Sequence, residues 1–189
     1  MKLEPSGSQT VGPYFTIGLE YLCTHAVPEP AANAETVSVR GRLLDADGVP
    51  VPDAMLELWQ ADPRGRYTSE ERAAVVDKPT DLPGFARVAT DSQGAFWFTT
   101  AKPGMVPFDN DRMQAPHIVV LIFMRGLLRH LITRMYFPDE AANEVDPVLE
   151  LLPPDRRGTI IARRDPENPA ALHWNIILQG EEETVFFAW

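Results

Sequence analysis

A succession of short alternating segments, separated by turns of one repeated kind, constrains this chain more than any other feature. VSVRGRLL (37–44), AMLELWQ (54–60), FARVATD (85–91), AFWFTT (95–100), HIVVLIFM (117–124), RHLITRMYF (129–137), TIIARR (159–164) and LHWNIILQ (172–179) are short apolar or alternating stretches, the pattern of strands. Between several of them stand DADG (45–48), DPRG (62–65) and DSQG (91–94). In such turns the Asp side chain accepts from the backbone that follows and Gly takes the positive φ. Eight strands without interleaved long helices predict an all-β fold, an antiparallel β-sandwich with long loops and short helical segments. PDEAANEVDPVLELL (138–152) begins like a helix and is interrupted by Pro147, which predicts two short helices or turns.

The length of 189 residues predicts one domain over 1–189, with 1–36 as an N-terminal arm or loop region. The longest apolar run, Ile118 to Met124, is far short of the roughly 20 residues of a membrane span. The N-terminus MKLEPSGSQT has no apolar segment behind its lysine, so the expected compartment is the cytoplasm. A net charge of −10 argues against a nucleic-acid partner, which needs clustered Lys and Arg. It also means that an anionic ligand requires a local arginine. The lone Cys23 builds neither a disulfide framework nor a thiolate cluster. DADG lacks a calcium loop's ligand series, since Val49 stands at the next ligand position. Loops on a rigid sandwich are where binding residues are sought, here 5–15, 27–33 and 101–111.

LELWQADPRGRY (56–67), TDSQGAFWFTTAKPG (90–104), APHI (115–118) and TRMYFPDE (133–140) together resemble the intradiol catechol dioxygenases, over most of the chain. The resemblance implies a β-sandwich in which two tyrosinates, two histidines and a hydroxide hold non-haem ferric iron. It also implies O2-dependent cleavage of an aromatic ring between adjacent hydroxyls. Fe(III) is a hard cation that favours anionic oxygen, and a His-x-His pair on a strand projects to one face. The family writes that pair in W-R-P-A-H-I-H; here the string is Met113-Gln114-Ala115-Pro116-His117-Ile118-Val119. His117 is kept and Val119 replaces its neighbour. Tyr67 matches the first tyrosine, whereas Val106, after Lys-Pro-Gly, stands where the second belongs. The family's arginine is Gln114.

Tyr67, Val106, His117 and Val119 therefore read as vestigial metal-site positions, and the chain is expected to bind no metal and to carry no catalytic residue. His117 is expected to be retained for packing or for a hydrogen bond, with a tyrosine hydroxyl as partner.

This pattern of losses resembles the iron-free subunit of two-chain members of the family, as do SQTVGPY (8–14), MRG (124–126) and GEEETVFF (180–187). That resemblance implies that Fe(III) belongs to an iron-bearing beta subunit, the partner, and that a small aromatic acid binds at the interface. Thr10, Gly12, Pro13 and Tyr14 are then the segment facing the pocket, and Arg125 is the cation for the substrate carboxylate. Gly permits close approach to a flat ring, Pro fixes the backbone, and a guanidinium pairs bidentately with a carboxylate. Arg129 and Arg134 read as surface or interface charges, Trp59, Phe96, Trp97 and Phe98 as core or interface fillers. The terminal VFFAW is expected to pack inside the domain or against a subunit. Two other readings compete: a stand-alone β-sandwich binding module, and a self-sufficient dioxygenase using His25, His130 or His173.

Overall fold

The computed structural model describes residues 7–12, 14–28, 35–68, 81–168 and 170–188. Its strands are β1 (Thr36–Leu44), β2 (Met55–Gln60), β3 (Phe85–Ala89), β4 (Ala95–Ala101), β5 (Val106–Pro107), β6 (Met113–Gln114), β7 (His117–Phe123), β8 (Leu131–Tyr136), β9 (Arg163–Arg164), β10 (Ala171–His173) and β11 (Ile176–Ile177). One sheet runs β3-β2-β7-β8, antiparallel throughout. In the other, β1 pairs with β4 on one edge and with β10 and β11 on the other. β5 and β6 form a separate two-stranded ribbon.

Alternation explains the core. Val37 and Val39 of β1, Leu56 and Leu58 of β2, Phe96 and Phe98 of β4, and Ile118, Val120 and Ile122 of β7 are all buried in one cluster between the sheets. The residues between them, including His117 and Val119 on β7, point to the opposite face of their sheet. A polar link also crosses the sandwich. Gln60 Nε2 on β2 donates to the Ala101 carbonyl at 2.8 Å, and Thr100 Oγ1 on β4 donates to Gln60 Oε1 at 2.7 Å, so these buried groups are satisfied.

The Asp turns form as expected. The carboxylates of Asp45, Asp62 and Asp91 each accept from backbone N–H groups two and four residues on, and Gly48, Gly65 and Gly94 have φ of 74°, 75° and 64°. The 138–152 stretch forms two 3-10 turns, Ala141–Val145 and Leu149–Leu151.

Three regions differ from expectation. Only Arg163–Arg164 of TIIARR is strand, because Gly158–Ile160 forms a 3-10 turn in which Thr159 Oγ1 donates to the Arg156 carbonyl at 2.8 Å. LHWNIILQ divides into β10 and β11, both parallel to β1. The break falls at Trp174, whose carbonyl oxygen lies 1.8 Å from where a Cβ on Gly41 would be, while Asn175 Oδ1 accepts from the Arg42 N–H at 3.0 Å. The N-terminal region contains a helix, α1 (Tyr14–Leu19), followed by a 3-10 turn at Glu20–Leu22. Tertiary contact, with Phe15 lying 5.9 Å from the Phe123 ring at the end of β7, supports so short a helix better than propensity does. Among the described residues no helix is long and apolar enough to cross a membrane.

Candidate functional site

Strand β7 organises both groups of predicted site residues, one at each end. His117 opens the strand and Phe123 closes it. At about 3.3 Å per residue the two ends lie roughly 20 Å apart.

At the far end, Gly126 turns the chain with φ of 90°, and its N–H donates to Thr10 Oγ1 at 2.8 Å. The N-terminal segment and the Arg125 turn, 116 positions apart in the chain, are thus joined by one hydrogen bond. The Arg125 side chain is 56% exposed and faces Asp53 Oδ2 at 3.6 Å, a loose pair in water. Gly12 is exposed, has no atom of the described residues within 4 Å of a would-be Cβ and needs no positive φ. The Gly12 carbonyl accepts from Phe15 N–H at 3.1 Å. Pro13 lies outside the described residues, and Tyr14 begins α1. Beside this end is a cleft of about 630 Å³ lined in part by Gln9, Val11, Leu128, His130 and Phe187.

The other end carries the positions read above as vestigial. The Asp62 turn packs against the 104–105 backbone, with Gly104 N–H donating to the Asp62 carbonyl at 3.0 Å. A side chain on Gly65 would collide with the Met105 carbonyl, and one on Gly104 with the Pro63 carbonyl. This close approach brings the segment carrying Tyr67 to the segment carrying Val106. Val106 pairs with Gln114 across the β5-β6 ribbon, and β6 leads into His117 and Val119. His117 is opposite Tyr136 in register and Val119 opposite Arg134.

The chemistry there is not that of a ferric cage. His117, 3% exposed, donates from Nδ1 to the Ala115 carbonyl at 2.7 Å. Burial, and then repulsion from Arg134, press its pKa from 6.5 to about 4, against the opposing pull of the Ala115 carbonyl and the Asp146 carboxylate. The expected tyrosine hydroxyl is not its partner: the Tyr136 ring lies 5.5 Å from the imidazole, and the Tyr136 hydroxyl donates to Asp146 Oδ1 at 3.2 Å. Tyr67, 49% exposed, has its phenol pKa raised by desolvation, which Arg134 opposes. It is therefore a neutral phenol at physiological pH. Val106 and Val119 offer no lone pair. One imidazole nitrogen and one protonated phenol beside a guanidinium do not fit a hard trivalent cation.

His25 Nδ1 lies 2.9 Å from the Trp97 carbonyl, the His130 ring 5.2 Å from that of Phe123, and His173 Nε2 3.0 Å from Asp165. No group of three or more His, Cys, Asp or Glu suited to a metal occurs among the described residues.

Three residues that the sequence reading did not place at the site, Arg134, Tyr136 and Asp146, organise this end. Arg134, read above as a surface or interface charge, is part-buried and donates from Nη1 to Gln114 Oε1 at 2.7 Å and to the Tyr136 hydroxyl at 3.2 Å. Asp146 is fully buried and accepts from the N–H groups of Ala115, Val148 and Leu149 as well as from Tyr136. Burial is the chief cause that raises the Tyr136 pKa. The signal for Arg134 and Tyr136 was their i, i+2 spacing on a strand, which becomes informative only once pairing with β7 is known. The aromatic fillers divide: Phe96 and Phe98 are core, whereas Trp59 and Trp97 face outward. The C-terminal tail runs along β8, with Phe187 N–H donating to the Ile132 carbonyl and Thr133 Oγ1 to the Val185 carbonyl; Trp189 lies outside the described residues.

The Dioxygenase family pattern matches residues 12–180 of this two-sheet fold. The chain belongs to that family. Within it, the chain is 43% identical over 199 positions to the protocatechuate 3,4-dioxygenase alpha chain of Burkholderia cepacia, covering 98% of each. It is 31% identical to the protocatechuate 3,4-dioxygenase beta chain of the same organism, over 94% of this chain and 77% of that one. The fold matches 3-chlorocatechol 1,2-dioxygenase from Rhodococcus opacus 1CP with a TM-score of 0.63 at 20% identity, covering 81% of this chain and 63% of the other.

Proposed function

We propose that this chain is the alpha subunit of a cytoplasmic protocatechuate 3,4-dioxygenase, a single domain that completes the substrate pocket of an iron-bearing beta subunit. The complex opens protocatechuate with O2 to 3-carboxy-cis,cis-muconate: the bond between the two hydroxyl-bearing carbons breaks and both oxygen atoms enter the product. The ferric ion of the beta subunit supplies the oxidative chemistry. This chain contributes enclosure and orientation, which alter rates strongly without a bond-making group.

The observation that carries the reading is the Thr10 to Gly126 hydrogen bond. It holds the SQTVGPY segment beside the Arg125 turn, at the end of β7 remote from the vestigial positions. Gly12 is compatible with it: among the described residues nothing lies within 4 Å of where its Cβ would be, so an outside group has room to approach the backbone there. Arg125 pairs only loosely with Asp53, so a substrate carboxylate displaces that contact at small cost and gains a bidentate partner.

Coexpression with the beta chain tests this. Arg125→Ala in the complex is expected to raise KM for protocatechuate about tenfold, the worth of one charge-assisted contact. KM for catechol, which lacks the carboxylate, is expected to change less than about twofold. Equal effects on the two substrates refute the carboxylate role. Failure of the two chains to copurify refutes the assembly and favours a stand-alone binding module.

A further inference from the structure

We propose that Arg134 stands in for the missing metal ion: its guanidinium ties the former ligand segments together and, being a fixed cation, keeps a metal from entering. The geometry connects Arg134 to three of the four positions, His117 and Val119 by register and Val106 through Gln114. On β8 it is opposite Val119, two steps along the ladder from the His117–Tyr136 pair and so on the same face. Through Nη1 it grips Gln114 Oε1 at 2.7 Å. Gln114 in turn pairs with Val106 and donates from Nε2 to the Pro107 carbonyl at 3.0 Å, so the grip extends to the whole β5-β6 ribbon. The second contact of Nη1, to the Tyr136 hydroxyl at 3.2 Å, leads on to the buried Asp146.

A ferric ion performs two tasks in a cage: it holds separate chain segments at one point, and it stabilises anionic donors. Here the first task passes to one guanidinium nitrogen, Nη1, whose two N–H groups meet acceptors on β6 and β8. The second is no longer needed, since valines stand at 106 and 119 in place of two of the donors. A guanidinium does not lose its proton, so it cannot yield its charge to admit a metal as a lysine might by deprotonating. Gln114, standing where the family has arginine, fits the same exchange: it supplies the acceptor that receives the relocated cation.

This inference rests on Tyr67, Val106, His117 and Val119 being the former ligand positions, and not on pairing with a beta subunit, so the two fail separately. The test restores the donors in the full chain and compares V106Y/V119H with V106Y/V119H/R134Q. Iron is measured by elemental analysis and by the visible absorption of tyrosinate bound to Fe(III). With Arg134 present, uptake is expected to stay below about a tenth of an equivalent, and without it to rise to about one. Equal uptake, at one equivalent or at none, overturns the exclusion. Independently, R134Q in the otherwise unaltered chain is expected to speed amide exchange in β5 and β6 by about tenfold while β1 and β4 stay unchanged. R134K, which keeps the charge but loses the reach and fixed direction of the guanidinium N–H groups, is expected to loosen the ribbon yet still refuse iron in the donor-restored chain. An unaltered ribbon in both variants overturns the cross-linking role. If R134Q does not fold, Arg134→Met takes its place in both comparisons.

Discussion

Replacing Asp146 by asparagine is a nearly isosteric change with a cost that follows from four hydrogen bonds. The carboxylate is 0% exposed. Its Oδ2 accepts from Ala115 N–H at 2.7 Å, and its Oδ1 accepts from Val148 N–H and Leu149 N–H, both at 2.8 Å, and from the Tyr136 hydroxyl at 3.2 Å. Every one of these partners is a donor. In Asp146→Asn the amide oxygen best serves the three donors on one side, which sets the new NH2 against the Ala115 N–H. One charge-assisted bond is lost, one buried N–H is left without an acceptor, and the other three bonds become neutral. Together these cost about 2–3 kcal/mol, a large share of a typical stability of about 5–15 kcal/mol. Asp146→Ala removes all four acceptor contacts and is expected to cost at least about 4 kcal/mol. Urea unfolding followed by circular dichroism reads the change as a lower midpoint at unchanged slope. A cost for the asparagine variant below about 0.5 kcal/mol refutes the view that this carboxylate anchors the near end of β7.

His117 makes stability depend on pH. Its folded pKa of about 4 lies below the ordinary 6.5, so the unfolded chain binds the proton first. The contribution is complete above pH 6.5 and is lost as pH falls towards 4, by up to about 3 kcal/mol. His117→Asn is expected to remove this slope, and denaturation curves of the two proteins that stay parallel between pH 7 and 4 contradict it. Gly12→Ala meets no atom of the described residues within 4 Å and is expected to leave the chain's own melting unchanged within about 0.5 kcal/mol. Activity of the two-chain complex is nonetheless expected to fall, because the added methyl projects where a ring must approach; unimpaired kinetics of the complex count against the pocket role of this segment.

Period-two alternation and Asp-x-x-Gly turns made most of the sandwich legible, because each is a local signal with a local cause. β1, β2, β4, β7 and β8 fall within two residues of the segments read from them. The misses were tertiary. Nothing in LHWNIILQ announces that the Trp174 carbonyl presses on Gly41 and divides the strand. α1 takes support from the Phe15 contact with Phe123, a pairing separated by more than a hundred residues. The candidate site was legible as absences, since valine at 106 and 119 is readable without coordinates. What fills those absences was not. Arg134 looked like any charged strand residue until register placed it opposite Val119, and Asp146 looked like a turn residue until burial and four donors marked it as an anchor.

The central claim is that this polypeptide acts through a companion's ferric pocket rather than one of its own. Oxygen uptake with protocatechuate, measured on the purified chain, on the beta chain and on the recombined pair together with the iron content of each, tests it most directly. The account predicts iron in the beta chain and in the pair, with full ring opening only in the pair. Stoichiometric iron and ring opening in this chain by itself contradict it.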